Sequence, residues 1–432
     1  MSDFGFNDCM KTLQKKLPGG LRLIMTPQPD AATATVLILV GTGSKYETKK
    51  ESGLSHFLEH MYFKGTALHP SARSISEALD NLGAVSNAFT SHEYTGYYAK
   101  GNPKHTETFI DILSDIYLHS TFPEKEIEKE KGVIVEEINM YEDMPQHKVW
   151  DMLFALMFGD QPVGWSVAGT KEHVNSFSRK DFIKYQKDHY TGSNTVIAVA
   201  GAFDPKTIEQ HIKKAFAAIS KEMPKAKKKV NDKQNEPKSV LFHKPTDQAH
   251  MALAFRSIPF NHADAPALSL LSTILGGGMS SRLFLLLREE LGAAYYVRAE
   301  QDAFTDHGIF TITAGIDKNR FAEITQAIIT TLKEIKQTPV PVDELNKVKE
   351  FTLGMMRLGL ESSDSIAGFY GTQLLLKGIY KTPEQLTKEY MKVTAADIQR
   401  VAKKLFVVKS ANLSVVGPFE QKNVSAEILH TL

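Results

Sequence analysis

Five consecutive residues, His56-Phe57-Leu58-Glu59-His60, put two imidazoles and a carboxylate at a spacing that a helix turns into one cluster. At about 100° per residue, His56 and His60 fall one turn apart on the same face, and Glu59 flanks both. Neutral imidazoles at i and i+4 can share one zinc ion, and the carboxylate between them stays free to take a proton from a water that the metal holds. The chain has 15 His and 50 Asp plus Glu in 432 residues. At that composition H-x-x-E-H arises by chance only roughly 0.06 times, so it calls for a chemical reading ahead of a solvated helix surface.

A catalytic zinc commonly has three protein ligands and one open position. The stretch from Pro123 to Pro145 is acidic, carries a proline near each end and predicts one helix. Within it Glu130 and Glu137 stand seven residues apart and share a helix face to within about 20°. Two carboxylates can therefore point at one site. Glu136, adjacent to Glu137, is the competing candidate, with solvated surface charge as the bland reading of the pair.

A second segment has the pattern of a β-hairpin. Gly83-Ala84-Val85-Ser86-Asn87-Ala88-Phe89-Thr90 and Thr95-Gly96-Tyr97-Tyr98 are strand-like runs that meet at the polar turn Ser91-His92-Glu93-Tyr94. His92 reads as a solvated turn histidine, and the remaining histidines have no ligand spacing.

Composition narrows the class of protein. A net charge of +1 gives no reason to expect nucleic acid or an anionic membrane as partner. The single Cys9 excludes an intrachain disulfide and fits a reducing compartment as an incidental thiol. Met1 to Leu17 has no apolar signal core and is not Arg-rich, and no run of about 18 apolar residues occurs, so a cytoplasmic protein without a membrane span is expected.

The chain divides near its middle, where Lys221 to Lys238 holds seven Lys, three acids and two Pro and reads as a charged linker. The halves on either side are similar. Asn194-Thr195-Val196-Ile197-Ala198-Val199 recurs as Asn412-Leu413-Ser414-Val415-Val416, and an amphipathic helical pattern precedes each. Leu54-Ser55 has its counterpart in Leu268-Ser269, which sets Leu270, Thr273 and Ile274 where the first half has His56, Glu59 and His60. The second half is thus a duplicate without the metal motif. The expected fold is α+β, with two homologous α/β-sandwich domains, each a mixed sheet packed by helices. They span 1–220 and 239–432, joined by the linker 221–238.

The stretch Gly53-Leu54-Ser55-His56-Phe57-Leu58-Glu59-His60-Met61-Tyr62-Phe63-Lys64-Gly65-Thr66 closely resembles the signature of the pitrilysin-type (inverzincin) zinc metallopeptidases. The likeness extends from about Leu17 to Pro418, and the chain length resembles the short branch that includes the mitochondrial processing peptidase β subunit and its bacterial homologues. The resemblance implies a zinc endopeptidase with Glu59 as general base. Within Val133-Ile134-Val135-Glu136-Glu137-Ile138 it assigns the third ligand to Glu137, and it gives Glu130 a supporting role behind the ligands.

The resemblance also implies that the hairpin's first strand is a sheet edge on which a peptide pairs, with Asn87, Ala88 and Phe89 as substrate-binding residues. In the second half, Leu275-Gly276-Gly277-Gly278-Met279-Ser280-Ser281-Arg282 leads into Leu287-Arg288-Glu289-Glu290-Leu291-Gly292-Ala293-Ala294-Tyr295. An Arg and a Tyr seven residues apart in this pattern reach over the substrate in the family, which points to Arg288 and Tyr295. A chain of this length is half of a peptidase clamshell, so a homodimer is expected, with a heterodimer with an inactive homologue as the other possibility. A dedicated precursor-processing peptidase fits the same motifs as a general peptide-degrading one. A non-catalytic scaffold homologue fits them poorly, because its motif would be degraded.

Overall fold

The computed structural model describes residues 11–420, 424 and 426–432, so Cys9 lies outside the described residues. Eleven strands are described: β1 (Leu13–Lys16), β2 (Arg22–Pro27), β3 (Ala34–Val40), β4 (Val85–Thr90), β5 (Thr95–Gly101), β6 (Thr195–Gly201), β7 (Lys238–His243), β8 (Gln248–Ser257), β9 (Ala294–Ala303), β10 (Gly308–Asp317) and β11 (Ala411–Gly417). They form a six-stranded sheet in the order β1-β2-β6-β3-β5-β4 and a five-stranded one in the order β7-β11-β8-β10-β9.

The two sheets repeat one plan. In the first, β2 runs parallel to β6, and β3, β5 and β4 follow in antiparallel register. In the second, β7 runs parallel to β11, and β8, β10 and β9 follow antiparallel. The recurring apolar segments after Asn194 and around Asn412 therefore become β6 and β11, at the same place in each sheet. Each is preceded by the expected helix, Arg179–His189 and Ala395–Leu405.

Contacts sort the chain into two compact units. One holds the residues up to Ile138 with Ser166–Lys228 and Arg357–Pro383; the other holds Asn139–Trp165, Lys229–Met356 and Glu384 onward. Two helices thus depart from the order of the chain. The Ser363–Lys377 helix packs on β2, β3 and β6 of the first unit. Lys100 pairs with Asp364 at 2.6 Å and Thr35 bonds Ser363 at 2.8 Å. Correspondingly, Val149, Leu153 and Met157 of the Pro145–Phe158 helix join Ala252, Ala254 and Val416 in the second unit. The physical reason lies in the central strands. β3 and β6 are buried along their whole length, and a sheet that is apolar on both faces needs a cover on each.

The linker is mostly exposed but pinned at both ends. Lys227 Nζ lies 2.9 Å from Glu93 in the first unit, while Asp232 pairs with Arg256 and Gln234 accepts from Asn412 in the second. Among the described residues no helix is long and apolar enough to cross a membrane.

Candidate metal centre

The motif forms a short helix, Leu54–Met61, with Leu54, Phe57, Leu58 and Met61 buried on its inner face. Its start is held by Glu47, whose carboxyl oxygens accept from the N–H groups of Gly53 and Ser55 at 2.8 and 2.7 Å. These are backbone donors that a helix N-terminus leaves unpaired. Burial pushes the Glu47 carboxyl up to about 8, and the two N–H donors pull against that shift. Behind the helix, Tyr185 Oη stands 2.7 Å from Ser55 Oγ and 3.1 Å from Thr42 Oγ1. Gly53 has φ +93°, and a Cβ there would lie 2.6 Å from the Ala168 carbonyl oxygen. The helix therefore enters at a place where only glycine fits.

The predicted acidic helix spans Glu124–Asp143. It carries Glu137 to the half-buried outer face of the motif helix, where Glu137 Oε2 lies 3.6 Å from His56 Nε2 and 3.6 Å from His60 Nε2. One ligand atom from each of the three residues falls within 4.8 Å of the others. Glu136 is exposed and does not join this group.

These spacings fit a shared ion. Zinc bonds to nitrogen and oxygen run at about 2.0–2.2 Å in tetrahedral geometry, which sets donor atoms roughly 3.3–3.6 Å apart. Direct hydrogen bonds between the same atoms are shorter, about 2.7–3.2 Å. The His60 tautomer agrees. His60 Nδ1 stands 2.9 Å from Glu130 Oε1, so it carries the proton and Nε2 keeps its lone pair toward Glu137.

Glu130 is 3 % exposed, and its other oxygen lies 2.6 Å from Lys64 Nζ. Burial raises its carboxyl, but the hydrogen bonds from His60 and Lys64 and the Lys64 charge outweigh this and hold it below the usual range. Glu59 points to a different neighbour: Thr90 Oγ1 donates to Glu59 Oε2 at 2.6 Å. Lys64 and Thr90 are contacts that the sequence reading does not anticipate. Lys64 had a faint signal, since it follows His60 by four residues as His60 follows His56. Thr90 had none, because its link to Glu59 crosses from a strand to a helix 31 residues away.

The hairpin forms as expected, and β4 is the outer strand of its sheet. Ser91 N donates to Tyr94 O at the turn. Alternation from that pair leaves the backbone groups of Ser86, Ala88 and Thr90 on the open side. Asn87 Oδ1 accepts from the N–H of Ala88 at 2.9 Å, and the Phe89 ring lies over Gly96.

Arg288 and Tyr295 lie in the second unit. Arg288 sits in the last helical turns, Leu285–Glu290, and Gly292 breaks the helix with φ +58°. Tyr295 follows in the outer strand β9 and is 72 % exposed. Arg288 Nη1 donates to the Tyr295 carbonyl at 3.4 Å, and its guanidinium stacks 5.0 Å over the Phe284 ring. The contact from Arg288 is to the Tyr295 backbone, and the residue is largely exposed.

Comparison with known proteins matches two family models along the chain. Residues 22–171 match the model of the insulinase family (peptidase family M16), and residues 176–351 match the peptidase M16 inactive domain. The chain is 36 % identical over 402 residues to a Bacillus subtilis (strain 168) protein named uncharacterized zinc protease YmxG, a match that covers 92 % of this chain and 96 % of that one. It is 33 % identical over 409 residues to the uncharacterized zinc protease ML0855 of Mycobacterium leprae (strain TN), covering 94 % and 92 %. A solved protease from Helicobacter pylori has the same fold, with a TM-score of 0.88 at 24 % identity, covering 95 % of this chain and 100 % of that one. With 36 % identity along 92 % of its length to a relative named as a zinc protease, and with both M16 models matched, this chain belongs to the M16 (pitrilysin-type) peptidase family.

Proposed function

We propose that this protein is a zinc-dependent endopeptidase in which His56, His60 and Glu137 hold the metal and Glu59 is the general base. The observation that carries the reading is the convergence of two imidazole nitrogens and one carboxylate oxygen within 4.8 Å, one residue from a carboxylate that the cluster does not use. Zinc, when bound, supplies Lewis acidity that lowers the pKa of a water toward about 7 and polarises a carbonyl oxygen.

The remaining work falls to side chains. Glu59 takes a proton from the attacking water on Oε1, which has no protein donor among the described residues, and passes it to the departing amine. Glu130 fixes the His60 tautomer and Lys64 balances the Glu130 charge. The open side of β4 receives the peptide as an added strand along Asn87, Ala88 and Phe89, pairing through the backbone groups that face outward at Ser86, Ala88 and Thr90, which selects extended backbone over particular side chains. Arg288 and Tyr295 donate to a substrate carbonyl and to the developing oxyanion, supplied by the second copy in a homodimer. Peptides or small unfolded polypeptides in the cytoplasm are the proposed substrates.

The deciding experiment is Glu59→Gln with zinc content and peptide cleavage measured on the same sample. The amide keeps the volume and removes the proton acceptor, so zinc should remain near one per chain while turnover is largely lost. Wild-type turnover in a zinc-replete Glu59→Gln protein would overturn the mechanism.

A further inference from the structure

The general base of the proposed site is held from the strand on which the proposed substrate lies. Thr90 closes β4, and its hydroxyl donates to Glu59 Oε2 at 2.6 Å. That is a short distance for O–H···O⁻ and typical of a charge-assisted bond. The Thr90 oxygen is backed by Thr95 Oγ1 at 3.5 Å, and Thr95 itself donates to the Thr42 carbonyl at 3.0 Å. The Thr95 proton is thus committed to the closer carbonyl, and the Thr90 proton has Glu59 as its acceptor. Glu59 is left with Oε2 occupied and Oε1 without a protein donor among the described residues.

A glutamate has three side-chain torsions, and on a helix surface it samples several staggered arrangements. Proton transfer requires the acceptor within about 2.6–3.2 Å of the water, so fixing one arrangement raises the fraction of encounters that react. Thr90 is also one of the β4 residues whose backbone groups face the open side of the sheet, by the alternation set at the Ser91–Tyr94 pair. A peptide added to β4 would bond the backbone of the residue whose side chain holds the base.

We propose that Thr90 is a positioning residue that orients the Glu59 carboxylate and ties its placement to strand pairing on β4. The proposal rests on the assignment of Glu59 as general base. It adds a residue whose hydroxyl bonds Glu59 and Thr95 rather than the proposed ligands, and which does not itself exchange protons with substrate.

The test compares Thr90→Val, which keeps the shape and removes the donor, with Thr90→Ser, which keeps the donor and removes the methyl. Hydrogen bonds to charged groups matter enough that kcat for a short peptide should fall about 10- to 100-fold in Thr90→Val. KM should stay within about threefold, since strand pairing uses the backbone. Zinc content and Tm should match the wild type, and Thr90→Ser should recover most of kcat. In the Glu59→Gln background Thr90→Val should cost nothing further, because the acceptor it positions has lost its function. Three results would overturn the role: wild-type kcat in Thr90→Val, equal loss in Val and Ser variants, or full additivity with Glu59→Gln. If Thr90→Val fails to fold, the Ser variant beside Thr90→Ala gives the same comparison. An active Glu59→Gln protein would instead sink the assignment of the base, so the two failures are told apart.

Discussion

His60 Nδ1 and Glu130 Oε1 stand 2.9 Å apart, and the other Glu130 oxygen is held by Lys64 at 2.6 Å. This relay fixes which His60 nitrogen faces Glu137. Partners of this kind behind a ligating histidine are worth about 10- to 100-fold in metal affinity. Glu130→Gln should therefore weaken zinc binding by that factor in a chelator competition, while the fold survives. Unchanged affinity would remove Glu130 from the site.

The neighbouring carboxylates on the acidic helix separate cleanly. Glu137 meets both imidazoles at 3.6 Å, whereas Glu136, about 100° further round the helix, is exposed. Glu137→Gln is expected to lose zinc on dialysis and Glu136→Gln to retain it. The reverse ranking, read by metal analysis, would move the ligand to Glu136.

Composite sites can be tested by mixing. If Arg288 and Tyr295 serve the metal centre of a second copy, Glu59→Gln and Tyr295→Phe chains, each nearly inactive, should regain part of the activity together. A mixed dimer then holds one complete site. Exchange of subunits is first shown with differently tagged chains. Mixed dimers that stay inactive, or an active enzyme that is strictly monomeric, would end the composite proposal.

His189 gives a pH signature away from the metal. It is 3 % exposed, packed between Tyr46 and Tyr185 with ring centroids at 5.9 and 4.4 Å. Burial pushes its imidazole down to about 4, against about 6.5 when unfolded. Below pH 6.5 the unfolded chain takes up a proton that the folded one refuses, so this contribution is complete above about 6.5 and is lost as the pH falls toward 4. Between pH 7 and 5 the wild type should lose roughly 2 kcal/mol more stability than His189→Gln in urea titrations. Parallel losses in the two proteins would show that another group governs the acid limb.

Much of the site was legible because its chemistry is local. His56, Glu59 and His60 are related by helix geometry alone, and Glu130 and Glu137 by the same periodicity on a second helix. The hairpin was readable from its two strand-like runs and polar turn. The duplication was readable from recurring strand residues at nearly constant offset, and the matching strand orders bear it out. Contacts between distant segments were not readable, because no periodicity relates their positions. Folding brought Thr90 to Glu59, Lys64 to Glu130 and Glu47 to the start of the motif helix. It also sent the Ser363–Lys377 helix, late in the chain, to the first sheet. The sequence by itself determined which groups can bind a metal and accept a proton, since donor type and helical spacing are properties of neighbouring residues. Only the tertiary structure decided which partners hold those groups in place, because burying both faces of two apolar sheets dictates which remote side chains meet.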